Sequence, residues 1–574
     1  MMKDTLYLLL DKKDFKKKFK SNINLFTLNK FVLSDIDTKN INHIFPDPYK
    51  TAQNSESLIL KTQEVKIQLI KEIKEIIFFK KMDNLDELLD PFLEIKLSSY
   101  FYLNDIIPIY KKYILIFGGK LYKYNSKIDL INSVEKIYTN KINKNQLLNK
   151  FSNINLNFFN RTLLFIQKFL LKNLLKSSRR NINFFSDEEA YFIKILKKEI
   201  GNKANSILFY TPTCSYLRII QILFKQFFLL IFNVNYKEIG MFLLPSDDIY
   251  FKYYELKNKK KLFKINYLDD KFTAYLIKQI FCNALYSIYY EKYLIKIFKN
   301  LKVKRSYFHS LRFSDLFTFS RVLKEFNKNV FLISHGSHTL HVDNNLDIIA
   351  SKMLAFGMTY TNDKGIKILS QSQFCDDFLD SLQIRYHRIN RLIQNNFVPK
   401  KVLNASGQKT ITKILFIGTV KQLGARRYYV ESSGEFIESV NLLYRKLFKY
   451  KNLFRIIVRI RNVINEIDQD ILDNAFKEKK DLIEIGSNCS IYQEIQNSDC
   501  LISYSSTTLE EGLSFNKPVM SFGLPNYNHF SFYENQYRND NNSPINENLK
   551  IIESCLERKF IYKNNEHRVI NHEF

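Results

Sequence analysis

Apolar positions follow two periods along the chain, and the alternation between them is clearest in the last third. KILFIG (413–418) is a short apolar run closed by glycine, and GEFIESVNLLYRKLFKY then returns an apolar residue every three or four positions. FRIIVRI (454–460) is β-branched, and DQDILDNAFKEKK has helical spacing. DLIEIG, SIYQEIQNS, CLISY, TTLEEGLSFN and KPVMSFG continue the series. Short runs that are apolar throughout suit strands buried on both faces, while a 3.6-residue period suits helices packed on them. The rhythm predicts a parallel, doubly wound α/β sheet.

The preceding region repeats the pattern less cleanly. NSILFYTPT (205–213) reads as a strand entering a turn, SDLFTFSRVLKEFN as a helix with Ser314 or Asp315 near its N-cap, and NVFLIS (329–334) as a strand. MLAFGMTYTNDKGIKIL (353–369) adds a further strand and turn. Together these predict a second α/β domain, joined to the first through VPKKVLNASGQK (398–409). Residues before about 205 read as a helical, lysine-rich region with strand candidates TLYLLL, LNKFVLS and YILIFGG, whose order the pattern does not give. The expected division is an N-terminal α/β unit over 1–397, a linker over 398–409, a C-terminal α/β unit over 410–540 and a helical tail over 541–574.

At 574 residues the chain is long enough for two or three domains. Its net charge of +29 suits an anionic partner: a phosphate-bearing substrate, a nucleic acid or an acidic lipid. The absence of Trp, the wealth of Lys, Asn, Ile, Phe and Tyr, and the lack of any Arg before Arg161 fit an AT-rich coding bias equally well. Six scattered cysteines with no C-x-x-C pair point to a reducing, cytoplasmic setting and away from a thiolate zinc site. TLYLLL is too short for a secretory signal, and Arg218 and Lys225 interrupt the apolar run Tyr216 to Val234. Arg161 to Arg180 sets leucines against cations at helical spacing, which suits a core helix or one lying on an anionic membrane face.

The most informative stretch is NSDCLISYSSTTLEEGLSFNKPVMSFG (497–523). A strand ending at Tyr504 delivers Ser505, Ser506 and Thr507 to the first turn of a helix. Free backbone N–H groups and hydroxyls there can hold a phosphate, or the hydroxyls can simply cap the helix. Glu510 lies one turn in, where a carboxylate can accept ribose hydroxyls.

This stretch resembles the C-terminal signature of GT-B-type transferases of bacterial surface polysaccharides. That superfamily includes capsule polysaccharide synthesis proteins, polysialyltransferases and CDP-glycerol glycerophosphotransferases. The resemblance spans roughly 301–530 with gaps and implies two Rossmann-like domains facing a cleft, with donor phosphate at Ser505, Ser506 and Thr507. Arg459 and Arg461, at the end of FRIIVRIRN, stand where relatives carry Arg-x-His-Pro; here Arg461–Asn462 replaces His-Pro. His335–Gly336, after NVFLIS, matches the strand-end His-Gly whose histidine acts as catalytic base in the glycerophosphotransferase branch. Gly418 and Thr419, after KILFIG, would line the donor side of the cleft.

Three histidines crowd NVFLISHGSHTLHVDNN, but His335, His338 and His341 are spaced i, i+3, i+6, which does not line three metal ligands on one helical face. Asp35–Ile36–Asp37 resembles a metal-binding D-x-D yet lies far in sequence from the phosphate-type motifs. The resemblance therefore implies a metal-independent glycosyltransferase with His335 as base and no cofactor beyond its nucleotide-activated donor. Its acceptor would be a surface glycan or glycolipid, met at the inner face of the plasma membrane. A nucleotide-sugar 2-epimerase would share the architecture. A basic nucleic-acid-binding protein competes on charge alone, without a recognisable module, so no nucleic acid is expected as partner.

Overall fold

The structure, a computed structural model, describes residues 4–15, 22–34, 38–75, 85–142, 182–186, 205–210, 238–242, 265–298, 303–308, 314–326 and 329–333. It further describes 366–370, 385–388, 411–420 without 419, 431–460, 469–486, and 490–524 without 505, 507, 516 and 518, together with single positions 224 and 379. Side chains at some positions inside these ranges are likewise left undescribed.

Three sheets are formed. The first holds β1 (Thr5–Leu9), β2 (Ile23–Phe26), β3 (Ile41–Ile44), β4 (Lys112–Phe117) and β5 (Lys120–Tyr124), in the order β3-β2-β1-β4-β5. Its helices are α1 (Pro48–Gln53), α2 (Ser55–Lys74), α3 (Leu85–Ile106) and α4 (Lys127–Ile142). The second holds β6 (Ile182–Ser186), β7 (Asn205–Tyr210), β8 (Glu238–Phe242), β9 (Val303–Phe308), β10 (Asn329–Ile333), β11 (Ile366–Ser370) and β12 (Tyr386–Arg388), in the order β12-β11-β10-β9-β6-β7-β8. Helices α5 (Asp270–Phe298) and α6 (Ser314–Glu325) belong with it.

The third sheet holds β13 (Thr412–Gly418), β14 (Phe454–Ile460), β15 (Ile483–Ile485), β16 (Cys500–Ser503) and β17 (Val519–Ser521), in the order β15-β14-β13-β16-β17. Helices α7 (Ser433–Leu447), α8 (Gln469–Ala475), α9 (Ile491–Asn497) and α10 (Thr508–Ser514) alternate with its strands. All pairings are parallel except β4–β5. Gly118 and Gly119 turn that hairpin with φ of 58° and 72°, backbone that glycine enters without steric cost.

The five strands read from the last third are all present, and the sheet is doubly wound. Leu415, Ile417 and Leu501 face Ile495, Leu509 and Phe515 of α9, α10 and the turn beyond. Phe416, Ile456 and Ile502 face Phe436, Val440 and Leu443 of α7. Helix α7 starts where Ser432 and Glu435 exchange side-chain-to-backbone bonds as a capping box, and its apolar residues recur at helical spacing toward the core.

The N-terminal region differs from the helical expectation. TLYLLL and YILIFGG become β1 and β4, but LNKFVLS does not form a strand. Asn29 Oδ1 accepts the Phe31 N–H at 3.0 Å and starts a 3-10 turn over Lys30–Leu33, so the pairing strand is the preceding INLF. Strands of four to six residues separated by helices of 20 and 22 leave a region whose pattern is mostly helical, although it builds its own sheet.

That sheet is buried on both faces, and strict alternation divides its residues. Leu6, Leu8, Phe26 and Leu115 join α2, α3, α5 and strand residues Phe308, Val330 and Leu332 of the second sheet in one core. Leu9, Ile23, Leu25 and Ile116 join Phe416, Phe436 and Val440 of the third. Each such side chain contributes about 1.5–3 kcal/mol on burial. Polar contacts seal the second junction. Asn29 Nδ2 donates to Ser433 Oγ at 3.0 Å, Thr51 Oγ1 to Glu435 Oε1 at 2.7 Å, and Lys30 Nζ to Glu438 Oε1 at 2.8 Å.

Candidate functional site at the carboxyl edge of the third sheet

Strand order fixes where a crevice can form. In β15-β14-β13-β16-β17 the chain winds outward one way from β13 to β15, then crosses back to β16 and winds the other way. Loops leaving β13 and β16 therefore part in opposite directions, and the gap lies beyond their carboxyl ends. Pairing aligns Ile417 with Ser503 and with Arg459, and Gly418 with Ile460. Gly418, Arg459 and the turn carrying Ser506 thus emerge side by side on one edge.

Ser503 ties that edge together. Fully buried, its Oγ donates to the Ile417 carbonyl at 2.6 Å and accepts the Ser506 N–H at 3.2 Å. Ser506 is partly exposed; its Oγ accepts the Thr508 N–H at 3.2 Å and bonds Thr508 Oγ1 at 2.9 Å, while its carbonyl accepts the Leu509 N–H at 3.1 Å. In this state Ser506 caps α10. Lys517 of the Lys-Pro pair serves the fold. Its Nζ donates to the carbonyls of Gln496 and Ser498, at 3.1 and 2.6 Å, closing the end of α9. Burial pulls that lysine below its ordinary pKa, against opposing pulls from Asp499 and Cys500.

Gly418 is close-packed. A Cβ there would lie 2.7 and 2.9 Å from Phe436 ring carbons and 3.0 Å from Ile460 Cγ2, so the glycine lets α7 approach β13. Arg459 pairs through Nη1 with Glu494 of α9, which is almost fully buried, while the arginine side chain keeps a quarter of its surface exposed. Gly486 allows this pairing, since a Cβ there would fall 2.8 Å from Glu494 Oε1.

A second acidic feature was not visible in the sequence. Glu431, just before α7, is fully buried, accepts from Ser439 Oγ at 3.2 Å through Oε1, and has no partner for Oε2 among the described residues. Burial first, then the charge of Glu435, push its carboxyl well above the ordinary range, against the Ser439 hydrogen bond. Ser439 Oγ also accepts the Leu524 N–H at 3.0 Å, which places the group near the chain leaving β17.

Of the other candidates, His335, Gly336, Thr419, Arg461, Ser505 and Thr507 lie outside the described residues, as do His338, His341 and Asp35 to Asp37. Glu510 sits in α10, its side chain undescribed. The strand that leads to His335, β10, is formed and pairs with β9 and β11. Among the described residues no three His, Cys, Asp or Glu side chains gather as a metal site, and no helix is long and apolar enough to cross a membrane.

No family model and no curated protein matches the chain. Among solved structures, a co-structure of Staphylococcus aureus MnaA with UDP overlaps 66% of this chain and 89% of its own, at 13% identity and a TM-score of 0.35. A UDP-GlcNAc 2-epimerase from Neisseria meningitidis bound to UDP-GlcNAc overlaps 59% and 81%, at 13% identity and 0.31. A ugt transferase from Siraitia grosvenorii in complex with UDP overlaps 61% and 83%, at 10% identity and 0.33. Overlaps of this size do not establish a shared fold.

Proposed function

We propose that the chain is a glycosyltransferase that moves a sugar, or a polyol phosphate, from a nucleotide-activated donor to a surface glycan or lipid-linked acceptor. One observation carries the reading: Gly418, Arg459 and the hydroxyl-bearing turn at Ser506 meet at the switch point of a doubly wound sheet, where open α/β sheets take phosphate ligands. The donor diphosphate would accept the hydrogen bond that the Ser506 hydroxyl now gives to Thr508, together with bonds from the Ser505 and Thr507 hydroxyls. Arg459, held in place by Glu494, would set its guanidinium charge against the leaving phosphate, helped by Arg461. Glu510 would accept ribose hydroxyls, with Thr419 on the wall opposite. His335, beside Gly336 at the end of β10, would take the acceptor's proton. On this reading these cations and dipoles would do the work that a metal ion does in other transferases. The acceptor side would work at the cytoplasmic face of the plasma membrane.

The test is a thermal-shift screen with CMP, CDP, UDP and GDP on the wild type beside Ser506→Ala. At least one nucleotide is expected to stabilise the wild type and to lose most of that shift in the variant. No shift with any nucleotide would remove the reading. Incubation with the matching nucleotide-sugar then separates transfer, which adds mass to an acceptor, from 2-epimerisation, which leaves the donor's mass unchanged.

A further inference from the structure

A second polar cavity lies at the opposite end of the N-terminal sheet from its parallel strands' carboxyl ends. Strand β5 runs antiparallel to β4, so its last residue, Tyr124, pairs with Tyr113 at the amino end of β4. There β5, the start of α4 and the start of α5 enclose about 400 Å³, lined by Lys123, Tyr124, Asp129, Asn132, Lys271 and Tyr275. This is the low end of the range for small-molecule sites.

Asn132 makes the cavity chemically unusual. It is 8% exposed, and its Oδ1 accepts no hydrogen bond among the described residues. A buried amide oxygen without a donor is costly, and a ligand hydroxyl would satisfy it. Neighbouring charges are unevenly committed. Asp129 binds Lys271 through both oxygens, at 2.9 and 3.2 Å, and also accepts from Ser126 Oγ at 2.8 Å. Lys123 brings an exposed ammonium from the strand side. One turn further along α4 from Asn132, Glu135 is held by Lys96 at 3.0 Å, and both are nearly fully buried.

We propose that this cavity binds a small anionic carbohydrate, a single sugar ring bearing one phosphate or carboxylate. The anion would sit against Lys123, and a ring hydroxyl would donate to Asn132 Oδ1. Tyr124 and Tyr275 would flank the ring, offering it apolar surface and hydroxyls. This site is separate in sequence and sheet from the proposed nucleotide site and does not depend on it.

Titration calorimetry on the full chain tests the assignment, with glucose 6-phosphate, glucuronate, glucose and inorganic phosphate as probes. The wild type is expected to bind at least one of the first two with Kd below about 1 mM. Glucose and phosphate alone should bind at least about tenfold more weakly, because each supplies only part of the required chemistry. Lys123→Gln, an exposed change that leaves the core intact, and Asn132→Leu should each weaken binding by about tenfold or more. Lys123→Gln should leave any nucleotide-induced thermal shift unchanged. Absence of binding for both anionic sugars, binding that Lys123→Gln does not weaken, or phosphate binding as tightly as the sugar phosphate would overturn the proposal.

Discussion

A buried ion pair between α3 and α4 allows a quantitative test of how the N-terminal unit is held together. Lys96 of α3 and Glu135 of α4 meet at 3.0 Å with side chains 8% and 1% exposed. Burial pulls Lys96 down, but Glu135 and Tyr275 pull it up and prevail, so its pKa lies above the ordinary 10.5. Lys96→Met leaves Glu135 buried without its cation, and Glu135→Met leaves Lys96 without its anion. Breaking one half of such a pair costs about 3–5 kcal/mol. At about 2–4 °C per kcal/mol for a unit of this size, each single variant should melt roughly 6–20 °C lower. The double Lys96→Met/Glu135→Met buries two unbranched apolar chains of similar volume and should recover to within about 1–2 kcal/mol of the wild type. A raised lysine pKa stabilises fully below its unfolded value and loses that contribution only as pH climbs through the folded one. Lys96→Met also leaves the buried Glu135 carboxyl with no cation, which favours its protonated form, so the deficit should grow as pH rises from about 5 to 8. Urea unfolding followed by far-UV circular dichroism, run as a double-mutant cycle, reads all three quantities. A double variant as unstable as the sum of the singles would refute the reasoning, as would single losses under about 1 kcal/mol.

Two further outcomes follow from the third sheet. Glu431 has a folded-state pKa raised above 4.5, so the stability its proton provides is full below that value and is lost as pH rises toward the folded pKa. Glu431→Gln should gain on the wild type in urea midpoint between pH 5 and pH 8, and parallel curves for the two proteins would contradict this. Gly418→Ala should cost about 1–3 kcal/mol by overpacking against Phe436, and the cost should shrink in a Phe436→Leu background. An equal penalty in both backgrounds would show that the ring does not set it.

The sequence was most legible where burial is two-sided. ILFIG and CLISY are nearly unbroken apolar runs, FRIIVRI is β-branched between its two arginines, and each became a strand of the third sheet. The first sheet was harder because its outer strands lack that signature. INHI is only partly buried and KLYKY is almost wholly exposed at an edge, so neither shows a hydrophobic period. The Gly-Gly pair before KLYKY is a hairpin signal that the composition of the strand obscured. At the candidate site, strand ends could be read, but partners could not. Glu494 stands 35 positions after Arg459 on another element, and nothing in SIYQEIQNS marks one glutamate as buried. Glu431 is missed for a related reason: a charged residue beside a loop is ordinarily solvated, and only the packed fold reveals that this one is not.

The three sheets share one winding scheme, and this sharpens the choice of site. Each starts at an inner strand, runs outward through two neighbours, then crosses back to pair on the other side, which places switch points at β1–β4, β6–β9 and β13–β16. A crevice becomes a phosphate site only if the chain leaving the crossing strand turns promptly into a helix and presents N–H groups and hydroxyls. In the first sheet β4 runs through Gly118–Gly119 straight into the antiparallel β5, which uses that edge for a hairpin instead. In the second, β9 ends at Phe308 and α6 begins at Ser314, five intervening residues later. In the third, β16 ends at Ser503 and the 508–514 helix follows after four residues, two of them Ser505 and Ser506, and a third Thr507. Ser503 fastens that turn to β13 through the Ile417 carbonyl, so Ser506 is held beside the very strand whose divergence opens the gap. The third switch point thus combines divergence, a short connection to its helix and an anchored Ser506 hydroxyl, which is why the nucleotide is proposed there.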